Sequence, residues 1–392
     1  MIRILIFTLL WALPDIAARA QPFTLNAGGT SQENYFTVIP YENIKGKIII
    51  PVSIQGKKYR FILDTGAPNS ISSALAEVLQ TALLNKIPVT DQSGRTDSMK
   101  VVSLPDVMLG DVTFTHIPSL VSESPIFSCT GYDGLIGSNL LRSSIVRFSS
   151  IDKTITITDN RGKLRLKKKQ ASELKLTANQ SNPYFKVILS GKKKVSEYLL
   201  FDSGADNIYD LCMEHYKLFK PHGVLTDIIE THGSGTMGFH GMADNAQVCR
   251  MKIPAFEVNG ARLTNITAET TNDNNSRVGA RLLDHGIVTV DYLHKKFYFE
   301  PFQPTADLYE KQPGFSVSFS NGKYIIGIVW DEQLRSHMHT GDQIMSVDGI
   351  DHEHITLCDL LTKESVLRTK DKATIVLKDK NSALHTLQVE KK

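Results

Sequence analysis

The chain has 392 residues, enough for two or three domains. Apolar residues make up 41% and charged residues 22%, which excludes a disordered chain, a collagen-like chain and a polytopic membrane protein. A formal net charge of +3 spreads no strong basic field over the molecule, so nucleic acid is not an expected partner.

The chain opens with Arg3 and an apolar run from Ile4 to Leu13. About ten residues are too few to cross a bilayer and right for the apolar region of a signal peptide. Ala18-Arg19-Ala20 supplies a small-x-small cleavage pattern, so residues 1–20 are read as a signal peptide cut after Ala20. The expectation is an exported chain, periplasmic or secreted, with no stable membrane insertion once the signal is removed. Gln21 to Glu33, rich in Gly, Ser and Thr, is expected to be loose. The four cysteines, Cys129, Cys212, Cys249 and Cys358, match no zinc spacing. Export permits disulfides. Cys212 and Cys249 either pair within one domain or remain buried thiols, and the pairing is left open.

In chain order, Ile50 to Lys58 reads as a strand and a glycine turn, running into Phe61-Ile62-Leu63-Asp64-Thr65-Gly66-Ala67. Leu104-Pro105 through Gly110 is a strand and turn. Gly137 to Ile157 ends in an alternating strand, Ile155 and Ile157. A polar stretch, Asp159 to Ser172, carries Lys167-Lys168-Lys169 and reads as a solvated linker. The pattern then returns. Phe185 to Lys193 runs into Leu200-Phe201-Asp202-Ser203-Gly204-Ala205, Ile253-Pro254 leads through Gly260, and Gly279 to Phe299 aligns without a gap on Gly137 to Ile157. Strand, elbow, hairpin and closing segment thus occur twice. The fold expected is mostly β: two duplicated lobes over residues 34–158 and 176–302, a linker at Gln303 to Pro313, and a third domain over 313–392.

Asp-Thr/Ser-Gly alone is a weak signal. Here it follows an apolar strand twice, at equivalent places in the repeat. Two carboxyl groups about three ångströms apart cannot both ionise, so such a pair shares one proton. The ionised member acts as general base on a water and the protonated member donates to a peptide carbonyl oxygen. Asp64 and Asp202 are therefore the candidate catalytic dyad, with base and acid left unassigned. Thr65 and Ser203 are expected to hydrogen-bond across the elbow bases. Gly66 and Gly204 let backbone N–H groups approach the carboxylates.

These elbows resemble those of aspartic proteases. Alanine after the glycine is more similar to the retroviral, retropepsin-like branch, while two halves in one chain resemble pepsins. The apolar-apolar-Gly segment that the family packs behind each elbow is matched by Leu135-Ile136-Gly137 and in part by Arg277-Val278-Gly279. The resemblance implies an aspartic endopeptidase acting on a peptide or protein substrate, without cofactor or metal. It also implies β-hairpin flaps over the cleft. The candidate tips are Gln92-Ser93-Gly94-Arg95 and the glycine-rich Gly233 to Gly241, which holds Gly238 and Phe239. No tyrosine is placed like the flap tyrosine of pepsins.

In the tail, Gly341-Asp342 through Asp348-Gly349 resembles the signature of PDZ domains in exported bacterial proteins. Tyr324 to Trp330 and Ala373 to Leu377 read as strands, and Ile355 to Leu367 as a helix. Such domains take an extended peptide or C-terminus by strand addition, and Gly314, Phe315, Ser316 and Val317 are the candidate peptide-binding positions. The histidines show no HExxH spacing, and no Gly-x-Ser-x-Gly elbow or phosphate-binding glycine loop is present. A noncatalytic envelope scaffold that binds peptides through the cleft and the tail is the alternative function.

Overall fold

The computed structural model describes residues 23–392, so the expected signal peptide lies outside the described residues. The chain is mostly β. Strands Lys47–Ile54 and Lys57–Asp64 form a hairpin whose turn residues, Gln55 and Gly56, both have positive φ, +50° and +76°. That is the turn whose twist matches flanking antiparallel strands. The Asp64 strand then lies parallel to Gly134–Gly137, with Ile62 opposite Leu135 and Asp64 opposite Gly137. In the second half, Pro183–Ser190 pairs with Lys194–Asp202, and the Asp202 strand lies parallel to Arg277–Gly279. Leu200 stands opposite Arg277 and Asp202 opposite Gly279.

Only glycine fits where each inserted strand meets its elbow. A Cβ on Gly137 would fall 2.2 Å from the Asn69 amide nitrogen, and one on Gly279 would fall 2.2 Å from the Asn207 carbonyl oxygen. A short strand after each elbow, Ser70–Ser72 and Asp210–Cys212, pairs with the other side of the inserted strand.

The halves join through one sheet. Phe36–Pro40, Thr154–Thr158 and Ile145–Ser149 of the first half continue into Gly286–Asp291, Lys296–Pro301 and Ala171–Leu176 of the second. Phe148 pairs with Val288 at the seam. One apolar core runs through it, where Phe201 sits edge-on to Phe148 and Phe297, and Phe185 stacks on Phe297 at 3.8 Å. Burial across this seam, rather than local propensity, holds the two elbows at a fixed spacing.

Three expectations need correction. Of the span expected to be loose, Gln21 to Glu33, the described residues from Phe23 on are anchored. Leu25 is buried, its amide donates to the Asn179 carbonyl, and Gly29 bridges to Thr115. The linker Gln303 to Pro313 contains a strand, Thr305–Asp307, that lies parallel to the 11-residue strand Ala261–Thr271 and satisfies part of its edge. The helix expected over Ile355 to Leu367 is two short helices, Leu357–Thr362 and Val366–Thr369. A Thr356/Asp359 capping box starts the first. Lys45 from the first half donates to the Leu361 and Lys363 carbonyls, orphan acceptors where that helix stops.

The C-terminal unit is a six-stranded sheet with its own core of Phe315, Tyr324, Ile326, Ile344, Ile375 and Leu377. Strand Phe315–Ser320 lies at its edge. Among the described residues no helix is long and apolar enough to cross a membrane.

The cysteines resolve into one bond and two thiols. Cys129, at the end of helix Pro125–Thr130, is disulfide-bonded to Cys358 in helix Leu357–Thr362, closing a loop of 229 residues. Cys212 and Cys249 are buried and free. Arg250 fastens the unit from the other side: it donates to the Pro313 carbonyl at 2.7 Å and lies 4.4 Å over the Trp330 ring. Removing a native disulfide of this reach typically costs about 2–4 kcal/mol. The Cys129→Ser/Cys358→Ser double variant is therefore expected to melt earlier than wild type by calorimetry under oxidising conditions. Equal melting profiles would show that the bond does not contribute.

Candidate active site

Ile62 and Asp64 share one face of their strand, while Phe61 and Leu63 point into the core on the other. The same alternation turns Leu199 and Phe201 inward and brings Asp202 to the opposite face. At each strand end the chain reverses. The amides of Gly66 and Ala67 donate to Asp64 Oδ1 at 2.9 and 3.0 Å, and those of Gly204 and Ala205 donate to Asp202 Oδ1 at 3.0 and 3.1 Å. Each carboxyl is thus oriented by its own turn.

The two turns are then locked to each other. Thr65 Oγ1 donates to the Phe201 carbonyl at 2.5 Å and accepts from the Ser203 amide at 3.0 Å. Ser203 Oγ donates to the Leu63 carbonyl at 2.8 Å and accepts from the Thr65 amide at 3.0 Å. Both side chains are fully buried, so each satisfied bond carries the weight of a polar group that has no water to fall back on. Gly66 and Gly204 face the opposite carboxyls. A Cβ on Gly66 would lie 2.5 Å from Asp202 Cγ, and one on Gly204 would lie 2.2 Å from Asp64 Oδ2. The structure therefore brings Asp64, Thr65, Gly66, Asp202, Ser203 and Gly204 into one cluster.

Enclosure by the two halves pushes the Asp64 carboxyl well above the usual carboxylate range, and the charge and hydrogen bond of Asp202 push it further. Lys47 and the Gly66 amide act the other way without prevailing. Lys47 donates its ammonium to the Gly204 carbonyl.

Arg277 was legible in the sequence only as a partial match to an apolar-apolar-Gly slot. It occupies the place that Leu135 holds in the first half, and it is buried. Its Nη1 donates to Asp202 Oδ2 at 2.9 Å and to Gln92 Oε1 at 3.1 Å, and its Nη2 pairs with Asp273. A buried guanidinium requires such partners.

The flap candidates connect to this cluster through Gln92, which accepts from Arg277. Strands Ala82–Thr90 and Thr96–Ser103 form a hairpin whose tip holds Ser93 and Gly94, and Asp91 Oδ1 accepts from the Ser93 amide and hydroxyl at 2.9 and 2.5 Å. Gly238 and Phe239 lie in the small hairpin made by Met237–Gly238 and Gly241–Met242. The two tips are joined: Gln92 Nε2 donates to the Met237 carbonyl at 2.6 Å, and the His240 amide donates to Asp91 Oδ2 at 2.7 Å. Phe239 packs onto the apolar cluster of Ile62, Leu135, Phe127 and Tyr132, edge-on to Phe127 at 5.8 Å. Phe239 thus shares an apolar cluster with Ile62, two residues before Asp64. The start of the Gly233–Gly241 segment rests on the C-terminal unit, where the Ser234 amide donates to the Gly327 carbonyl at 3.1 Å.

The peptide-binding positions expected in the tail divide. Phe315 is buried in the unit's core, and Ser316 Oγ accepts from the Trp330 indole at 2.8 Å. Val317 is half-buried against the same core. Gly314 accepts from the Trp330 and Asp331 amides. The Phe315 and Ser316 side chains are thus taken up within the unit itself.

Residues 50–140 match the aspartyl protease family. This segment is aspartyl-protease-like. It contains the Asp64 elbow, the first flap and the strand inserted behind the elbow. Among solved structures, the chain is similar to an aspartic proteinase from Irpex lacteus, with 12% identity, a TM-score of 0.45, and coverage of 68% of this chain and 97% of that one. It is also similar to basic 7S globulin from soybean, at 12% identity and a TM-score of 0.39, covering 68% and 95%. Conglutin gamma from lupine seeds matches at 9% identity and 0.40, again covering 68% and 95%. No curated protein matches the chain.

Two expected outcomes follow from this geometry. Burial pushes Asp210, across from Arg277, up to about 7, against the opposing pull of Arg277 and Asn207. Its folded value exceeds its unfolded one, so its contribution is complete below about pH 4 and is lost as pH rises toward 7. Asp210→Asn should flatten the fall of urea stability between pH 4 and 8, on the order of 1.4 kcal/mol for each pH unit removed. An unchanged slope would refute this. Phe239→Ala removes the edge-on contact with Phe127 and should lower urea stability by about 0.5–3 kcal/mol. An unchanged unfolding midpoint would show that the contact contributes nothing.

Proposed function

We propose that the protein is a single-chain aspartic endopeptidase. The observation that carries this reading is the pair of elbows facing each other across the Thr65–Ser203 cross-bonds, with one carboxyl held toward its neutral form. A water seated between Asp64 and Asp202 loses a proton to the ionised carboxyl as its oxygen attacks the scissile carbonyl carbon. The protonated carboxyl donates to the carbonyl oxygen, giving a neutral tetrahedral diol. In collapse the newly protonated carboxyl gives its proton to the leaving nitrogen, the other carboxylate takes a proton from a diol hydroxyl, and the C–N bond breaks as the carbonyl re-forms. The elbow amides orient the carboxyls before the reaction, so little reorganisation is required during it.

The two halves are read as duplicated lobes, each supplying one aspartate. The flap and the Gly233–Gly241 segment act as the lid that excludes water from the bound peptide. The C-terminal unit is read as a PDZ-like module of an exported protein, recruiting an extended peptide or a C-terminus to the edge strand Phe315–Ser320. Phe239 on the apolar cluster of Ile62 and the buried Arg277 beside Asp202 favour a second reading, a peptide-binding scaffold without turnover.

The test is incubation of purified protein with a diverse peptide library from about pH 3 to pH 7, with Asp64→Asn and Asp202→Asn alongside. Cleavage by wild type, reduced at least a thousandfold in either variant while circular dichroism is unchanged, is the expected result (about 4 kcal/mol of transition-state stabilisation). Cleavage retained in either variant would overturn the dyad. Binding without cleavage at every pH would favour the scaffold.

A further inference from the structure

The backbone treats the two aspartates alike, because each Oδ1 accepts two amides at nearly equal distances. The difference lies at Oδ2. Asp202 Oδ2 receives the Arg277 guanidinium at 2.9 Å, while the equivalent slot beside Asp64 is filled by Leu135. From this asymmetry, and resting on the dyad reading above, we infer that Arg277 is a positioning residue that keeps Asp202 ionised and leaves the dyad's single proton on Asp64. Asp202 is then the general base and Asp64 the acid.

The charges around the pair support that division. Arg277 is shared with Asp273, whose side chain is 18% exposed, against 7% for Asp202. Asp273 therefore has water as an alternative partner, and Asp202 has much less. Asp210 stands across from Arg277 and is held toward its neutral form below about pH 7, so it competes little for the guanidinium in acid. Tyr184, also near Arg277, is neutral, with its hydroxyl donated to Asn275 at 2.7 Å. On the other side, Lys47 is the cation nearest Asp64, and its ammonium is spent on the Gly204 carbonyl. Tyr292 is buried near Asp64 with an unpartnered hydroxyl and offers no charge. The direct ion pair therefore falls on one carboxyl of the two, and the proton goes to the other.

Arg277 also reaches the flap. The same Nη1 donates to Gln92 Oε1, and Gln92 Nε2 donates to the Met237 carbonyl of the lid. Gln92 thus adds a third partner to a guanidinium already held by Asp202 and Asp273.

The experiment is carbon-13 NMR of the full chain labelled at aspartate Cγ, titrated from pH 3 to pH 8. Asp64→Asn and Asp202→Asn spectra assign the two signals. In wild type at pH 6 the Asp64 carbon should sit at the protonated position and the Asp202 carbon at the carboxylate position. Two averaged or equivalent signals would overturn the inference, whatever the variants do. In Arg277→Gln the first deprotonation of the dyad should move up by about 1 to 3 pH units, the range expected on losing an adjacent arginine, and Arg277→Lys should recover part of it. No movement in a folded Arg277→Gln protein would reduce Arg277 to a structural role. The readout needs no turnover, so failure of the peptidase reading in the library assay stays separate from failure here. If cleavage is found, the acid limb of kcat/KM should move with the NMR titration.

Discussion

The close approach of two acidic turns in a buried seam is the constraint on which the rest of the structure depends. Two carboxyls in contact repel once both ionise, and removing them from water adds to the cost. The fold offsets this with four amide donors to the two Oδ1 atoms and a reciprocal pair of hydroxyl bonds beneath. The inserted strands Gly134–Gly137 and Arg277–Gly279 brace each elbow from behind, and the sheet that joins the halves fixes their spacing.

The two halves meet the same backbone demand with different side chains. Where the first half pairs Leu135 with Ser70, the second pairs Arg277 with Asp210. The first half consequently has an apolar cluster around Ile62 and Leu135, onto which Phe239 packs, and the second half has a charged group beside its aspartate. A symmetric backbone with asymmetric linings suits a site in which one carboxyl accepts a proton while the other donates one.

The Gly233–Gly241 segment ties the site to the rest of the chain. Gly327 and Gly233 allow the C-terminal unit and the start of that segment to touch backbone to backbone, since a Cβ on Gly327 would fall 2.2 Å from the Ser234 carbonyl oxygen. The disulfide to Cys129 holds the same unit against the first half, next to Phe127 of the apolar cluster. The C-terminal unit is therefore tied both to the Gly233–Gly241 segment and to the first half.

The sequence by itself determined the local geometry. Apolar alternation made the strands, Gln55-Gly56 and Asn259-Gly260 made tight turns with positive φ, and Asp-Thr/Ser-Gly after an apolar run made each elbow. These are effects of neighbours a few residues apart, so they are written where they act. Tertiary structure alone decided that Cys129 pairs with Cys358 while Cys212 and Cys249 stay apart, and that Phe239 reaches a cluster over a hundred residues earlier in the chain. It also decided that Arg277, which reads as an imperfect match to an apolar slot, faces Asp202 from 75 positions away. Such contacts depend on how whole sheets pack, and no local pattern of apolar periodicity or turn residues encodes that distance.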